Sequence, residues 1–174
     1  MPNLSEFLAE YGELLLQGTG ETVVMLLVPT LISYVLGIAL GVVLYLTAPG
    51  SLRPVRALNA VLGWAVNICR SFPFIVLMVS IIPLTRLIMG TGSGILGPIP
   101  PLVLSATPFI ARMVEQSLAE VPRESVEAVE ACGASVPRVV FSALLPEALP
   151  SLVRGVAVVL IAVLGYTAIA GAVG

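Results

Sequence analysis

The 174-residue chain is 58% hydrophobic and only 10% charged, with 8 Lys+Arg against 10 Asp+Glu and a mean hydropathy of +1.09. A water-soluble domain has about a quarter of its residues charged, so this exterior is made for lipid, and a net charge of −2 leaves no basic footprint for nucleic acid. Every basic residue is Arg, every acidic one is Glu, and there is no His. That excludes a phosphate loop ending in Gly-Lys, a Ser-His-Asp or Cys-His nucleophile, and His-based zinc binding. The loop Gly90-Thr91-Gly92-Ser93-Gly94 has neither the spacing nor a base for a nucleophile elbow. Cys69 and Cys132 stand far apart and read as free thiols. Neither catalysis nor a resident cofactor or metal is expected in this chain.

Residues 1–17 carry Glu6, Glu10 and Glu13 and no Arg, the reverse of the basic start of a signal peptide. Membrane targeting is therefore expected to come from the spans themselves. The first, at 22–46, holds no charge, and about 25 helical residues reach roughly 37 Å, more than a hydrocarbon core of about 30 Å. It contains Pro29 and the pair Gly37-x-x-x-Gly41. Such a pair lets two helix backbones approach closely, either within the chain or between subunits. Turn residues Ala48-Pro49-Gly50-Ser51 follow, then Arg53 and Arg56. Arginines directly after a span mark the cytoplasmic side, which puts the N-terminus outside.

The second apolar stretch, 58–82, is interrupted by Arg70-Ser71-Phe72-Pro73. Either Arg70 sits deep in one continuous helix and faces a polar cavity, or the preceding residues lie along the interface and the span runs over 70–89. A short outer loop is expected at 83–94. The third span, 95–112, carries Pro98, Pro100, Pro101 and Pro108 and is expected to be partly irregular, which requires protein or water around it. The last, 149–173, is plainly apolar. The expected fold is thus all-α, a polytopic helical membrane protein with four spans.

Between the third and last spans, charge is concentrated in residues 113–148, which hold Glu115, Glu120, Arg123, Glu124, Glu127, Glu130, Arg138 and Glu147, with Arg112 and Arg154 at the margins. Pro122 suits a first helical position and Glu124 a first turn. Gly133 suits the left-handed residue that ends a helix. Ser135 can cap a second helix with Pro137 in its first turn. Val136, Val139, Val140, Ala143 and Leu144 fall on one apolar stripe, and Pro146 is expected to stop it. Two short helices meeting at a glycine corner form more than a connection needs, since loops longer than about 15 residues are usually functional. A docking surface for a partner is expected.

The segment Glu127-Ala128-Val129, then Gly133, then Leu145-Pro146 resembles the cytoplasmic loop of ABC importer permeases, with Val129 replacing the usual second Ala and Ala143 the usual Ile. Asn67-Ile68-Cys69-Arg70-Ser71-Phe72-Pro73-Phe74-Ile75, Pro108-Phe109-Ile110-Ala111-Arg112-Met113-Val114-Glu115 and Leu144-Leu145-Pro146-Glu147-Ala148-Leu149-Pro150 look like the methionine-importer permease branch, as does the run from Gly165-Tyr166 to Gly174. The resemblance implies a multi-pass bacterial inner-membrane permease that transports methionine and works as a homodimer. It further implies cytoplasmic ATP-binding subunits that carry the ATP and Mg, and an external substrate-binding lipoprotein. Glu127, Ala128, Gly133, Leu145 and Pro146 would couple the spans to the ATPase. Members of the family have a fifth span, so a truncated chain is expected here. Polar residues in apolar surroundings, Asn67, Arg70, Ser71, Ser105, Thr107, Tyr166 and Thr167, are candidates for the translocation path, or for hydrogen bonds between helices. The alternatives are a permease for another amino acid or small solute, and a non-transporting scaffold that recruits a cytoplasmic partner.

Overall fold

The computed structural model describes residues 3–173, without the side chains of residues 4–6, so Met1, the Glu6 side chain and Gly174 lie outside the described residues. Eight α-helices follow in chain order: α1 (Leu4–Thr47), α2 (Arg56–Ser71), α3 (Phe74–Ser80), α4 (Ile82–Met89), α5 (Ile99–Ala119), α6 (Arg123–Ala131), α7 (Val136–Val139) and α8 (Leu145–Val173). One π-helical turn, Val140–Leu144, joins the last two. Two helical stretches, Phe7–Thr47 and Val136–Val173, are long and apolar enough to cross a membrane. The bent pair α2–α3 makes a third if it counts as one span.

The centre of the bundle is α5. Leu102, Ala106, Ile110, Val114 and Leu118 recur every four residues and are all buried, forming one ridge along the helix. Against it lies a face of α1 made of small residues, with Thr30, Ser33, Gly37 and Gly41 all buried. A Cβ at Gly41 would come within 2.6 Å of the Ala111 carbonyl oxygen, and one at Gly37 within 2.6 Å of Ile110 Cγ2. The Gly-x-x-x-Gly pair therefore packs within this chain, where lipid-immersed helices gain from backbone approach. The Ser33 hydroxyl donates across the seam to the Val103 carbonyl at 3.4 Å.

Because other helices wrap α5, it does not need the apolar girdle of a lipid-facing span. That accounts for its prolines. Pro100 and Pro101 stand in its first turn, where the amide hydrogens lack helical partners anyway, and only Pro108 removes a bond from the interior. The helix itself is continuous and runs seven residues past Arg112 to Ala119; the irregular part of the expected stretch is its start, where 95–98, Pro98 included, form turns before the helix begins.

Elsewhere too the elements differ from the pattern in the sequence. α1 begins at Leu4, well before residue 22. Pro83 lies in the first turn of α4, so a helix covers most of the expected outer loop. The second stretch is not one helix over 58–82: the chain turns by 99° between α2 and α3. Phe72 is extended and Pro73 caps α3. Proline has no amide hydrogen to continue α2 and drives the residue before it out of the helical region.

Pro146 does not stop its helix. Within a regular α-helix its ring would strike the carbonyl four residues back. The turn before it is widened instead, with the Leu145 amide donating to the Val140 carbonyl, five residues back. One π-turn shifts the hydrogen-bond register and lets the helix pass through the proline. The second loop helix and the last apolar stretch are therefore one element.

Candidate functional site

The glycine corner is built from both sides. α5 ends at Ala119, Val121 is buried, and Pro122 in extended conformation turns the chain into α6. Pro122 is thus the N-cap, one position before the expected first helical residue. Glu124 sits in the first turn, where a carboxylate faces the positive end of the helix dipole. Cys132 closes the helix, and Gly133 follows with φ +75°. Its amide donates to the Glu130 carbonyl at 2.8 Å, which satisfies one of the orphan acceptors of a helix end. Ser135 is extended and leads into α7, without a side-chain capping bond.

The inner side of this unit is apolar and held to the bundle. Val126, Val139, Val140 and Leu144 are buried in the same core as Leu118, with Val129 and Val136 packed on its edge. The outer side is polar and open. Glu124, Glu127, Ala128, Glu130, Cys132 and Gly133 are all exposed. Among the described residues the one ion pair is Arg112–Glu115, and the carboxylates of α6 form none. A cleft of about 480 Å³ separates α6 from the loop after α1, with Glu115, Arg123, Glu127 and Glu130 on one wall and Tyr45 and Ser51 on the other. Of the candidate coupling residues, Glu127, Ala128 and Gly133 stand together on this surface. Leu145 is half-buried and Pro146 exposed at the start of α8, where they shape the helix through its π-turn.

The candidate path residues divide into groups. Asn67, Arg70 and Ser71 are exposed on the last turns of α2, and the Ser71 hydroxyl donates to the Asn67 carbonyl at 2.8 Å. The Arg70 guanidinium lies 5.9 Å from the centroid of the Phe109 ring, within range of a cation–π attraction. Beyond the bend, the Phe74 ring stacks on Tyr166 at 4.6 Å, which ties α3 to α8 near the same group. Ser105 and Thr107 are half-buried on α5, and the Thr107 carbonyl faces the Gly37 seam. Thr167 is buried and donates to the Leu164 carbonyl of its own helix at 2.8 Å. The structure brings Arg70 and Tyr166 to the α2–α3 bend and leaves Thr107 and Thr167 inside helix packing.

The sequence reading missed how the arginines are held. Arg112 donates to Glu115 at 2.6 Å and to the Gly63 carbonyl at 2.9 Å, which locks α2 onto α5. The Arg-x-x-Glu spacing, i to i+3 on a helix, was the available signal. The Asn59 side chain caps α1, its amide donating to the Leu44 carbonyl at 2.8 Å and to the Thr47 hydroxyl at 3.2 Å. Nothing local in the sequence announces that bond.

Residues 33–174 match the family described as "Binding-protein-dependent transport system inner membrane component". The D-methionine transport system permease protein MetI of Escherichia coli is 46% identical over 158 residues, 91% of this chain and 73% of that protein. The probable D-methionine transport system permease protein MetI of Vibrio cholerae is 43% identical over 171 residues, 98% of this chain and 76% of that protein. Among solved structures, an inward-facing conformation of the MetNI methionine ABC transporter superposes with a TM-score of 0.92 at 45% identity, covering 95% of this chain and 76% of that one.

Proposed function

The chain belongs to the family of binding-protein-dependent transport system inner membrane components, and from that premise we propose that it is the permease subunit of an ATP-driven methionine importer. The observation that carries the reading is the likeness along nearly the whole chain to permease proteins of D-methionine transport systems. The energy source sits in a separate cytoplasmic ATP-binding subunit, which holds the ATP and Mg. A second copy of the permease and an external binding lipoprotein complete the importer. The four-span arrangement fits if α5 crosses as a protein-wrapped helix and α2–α4 as one broken span.

Glu127, Ala128 and Gly133 form the surface that meets the ATPase. Its exposed carboxylates and polar corner suit docking to a partner, and its apolar underside links it through Val139 and Leu144 to α5 and α8. Closure of the ATPase on ATP moves this unit, and the spans move with it between two states, as differential binding requires.

The deciding experiment reconstitutes the permease with its ATPase and binding protein in proteoliposomes. The expected result is ATP-dependent accumulation of labelled methionine that excess unlabelled methionine abolishes and other amino acids do not. The permease alone hydrolyses no ATP. Uptake of a different amino acid in place of methionine overturns the substrate, and failure to associate with an ATPase overturns the permease assignment.

The orientation is tested with the native thiols. Arg53 and Arg56 directly follow α1, and Arg123 and Arg138 lie in α6 and α7, which marks both segments as cytoplasmic by the positive-inside rule. Cys132 is exposed and Cys69 half-buried. In sealed right-side-out vesicles Cys132 should resist a membrane-impermeant maleimide and react once the vesicles are opened. Labelling from outside reverses the topology.

A further inference from the structure

A second cleft, of about 280 Å³, opens between the end of α2, α5 and the first turns of α8. Three guanidiniums converge on it, Arg70, Arg112 and Arg154, together with Gln116 and Ser151. These residues are scattered over three helices, and the packing of α2 and α8 on α5 brings them to one place. Glu115 neutralises Arg112, and Glu120 reaches only the Ser151 hydroxyl, at 3.4 Å. Among the described residues no carboxylate pairs with Arg70 or Arg154. The site therefore carries two uncompensated positive charges.

The surroundings identify the anion. Arg112 stands seven residues before the end of α5, about 10 Å along the axis. Arg70 and Arg154, which are exposed and in no ion pair among the described residues, can snorkel over such a distance to the headgroup layer, which is about 5–7 Å thick on each side of the hydrocarbon core. The rest of the lining is apolar, with Phe109, Met113 and Val158 beside the arginines. On α8, Arg154, Val158 and Ile161 fall at i, i+4 and i+7, and all three are exposed, so one stripe runs from a guanidinium toward the membrane interior. A small soluble anion has no use for that stripe, whereas a lipid has a phosphate for one end and an acyl chain for the other. We propose that this cleft binds the phosphate headgroup of an anionic phospholipid from the cytoplasmic leaflet, as basic pockets between transmembrane helices do. The bound lipid cross-links α2, α5 and α8 at the base of the bundle.

The test measures lipid binding, which reads independently of uptake. The protein is purified in mild detergent and titrated with phosphatidylglycerol, phosphatidylcholine or inorganic phosphate, with retained lipid followed by native mass spectrometry and melting by fluorescence. Phosphatidylglycerol should be retained and raise the melting midpoint more than phosphatidylcholine, and inorganic phosphate at equal concentration should do neither. One arginine near an anionic leaflet accounts for about a fivefold change in affinity, so R70Q/R154Q should bind phosphatidylglycerol about 25-fold more weakly. R70K/R154K keeps the charge and should retain the lipid, and R86Q, on α4 and outside the cleft lining, should match wild type. If the double variant misfolds, R154Q alone serves, because that side chain is exposed and makes no ion pair among the described residues. Wild-type affinity in R154Q and R70Q/R154Q overturns the site. Equal stabilisation by inorganic phosphate overturns the lipid, as does a raised KM for uptake in R70Q/R154Q with lipid affinity unchanged.

Discussion

Gly41→Val should leave little folded protein to extract from the membrane, because it drives a branched side chain into the backbone of the central helix. A Cβ at this position already lies 2.6 Å from the Ala111 carbonyl oxygen and 2.6 Å from Val114 Cβ. A flexible side-chain tip could swing aside, but a helix carbonyl and a Cβ move only with α5 itself. Overpacking a close contact costs about 1–3 kcal/mol for each modest addition, so Gly41→Ala should fall in that range and valine beyond it. For a chain of this size, 3 kcal/mol corresponds to a drop of roughly 6–12 °C in melting midpoint. Gly20→Ala is the control. It lies on the same helix with nothing within 4 Å of its added carbon, and exchanging a mid-helix glycine for alanine gains about 0.5–1 kcal/mol. Midpoints from fluorescence-detected size exclusion after heating report both. A Gly41→Val protein that melts like wild type would mean that α1 and α5 do not meet at this seam.

That seam shows what a local pattern can carry. Gly37 and Gly41 announce a close backbone approach through spacing alone, although spacing does not name the partner; Ile110 and Val114 become visible only in the fold. The glycine corner was equally legible, because Glu124, Gly133 and Pro137 each act within a turn of their own position. Pro146 misled for the same reason. Its local chemistry says stop, and the relief comes from a shifted register five residues earlier, in a sequence that reads as ordinary helix. The prolines of α5 suggested irregular backbone where two of them stand harmlessly in the first turn. Arg70, Arg112 and Arg154 stand far apart in the chain, and only the packing of α2, α5 and α8 brings them to one cleft. What sequence conceals here is tertiary: which helix covers α5, and which distant charges share a cleft.

Gly133→Val should separate coupling from folding. Gly133 holds φ +75°, a left-handed conformation that costs any residue with a Cβ about 1–2 kcal/mol, with β-branched residues at the upper end. No atom lies within 4 Å of the carbon that would be added, so the penalty comes from the backbone and not from a clash. The corner is exposed and at the end of α6, so it can relieve the strain by turning α6 away from its native direction without unpacking Val139 or Leu144. The expected protein therefore inserts and melts like wild type, yet transport and substrate-stimulated ATP hydrolysis fall together by about 5- to 30-fold, the equivalent of that strain. Gly133→Asn should recover much of the loss, since asparagine tolerates left-handed backbone, and Gly133→Ala should lie between them. Glu127→Ala removes only an exposed carboxylate and should weaken both activities mildly. Uptake and ATPase rates in proteoliposomes, with co-purification of the ATPase, distinguish the outcomes. A Gly133→Val protein that binds its ATPase and transports at the wild-type rate would reduce the corner to a connector, and the coupling role of this surface would fall with it.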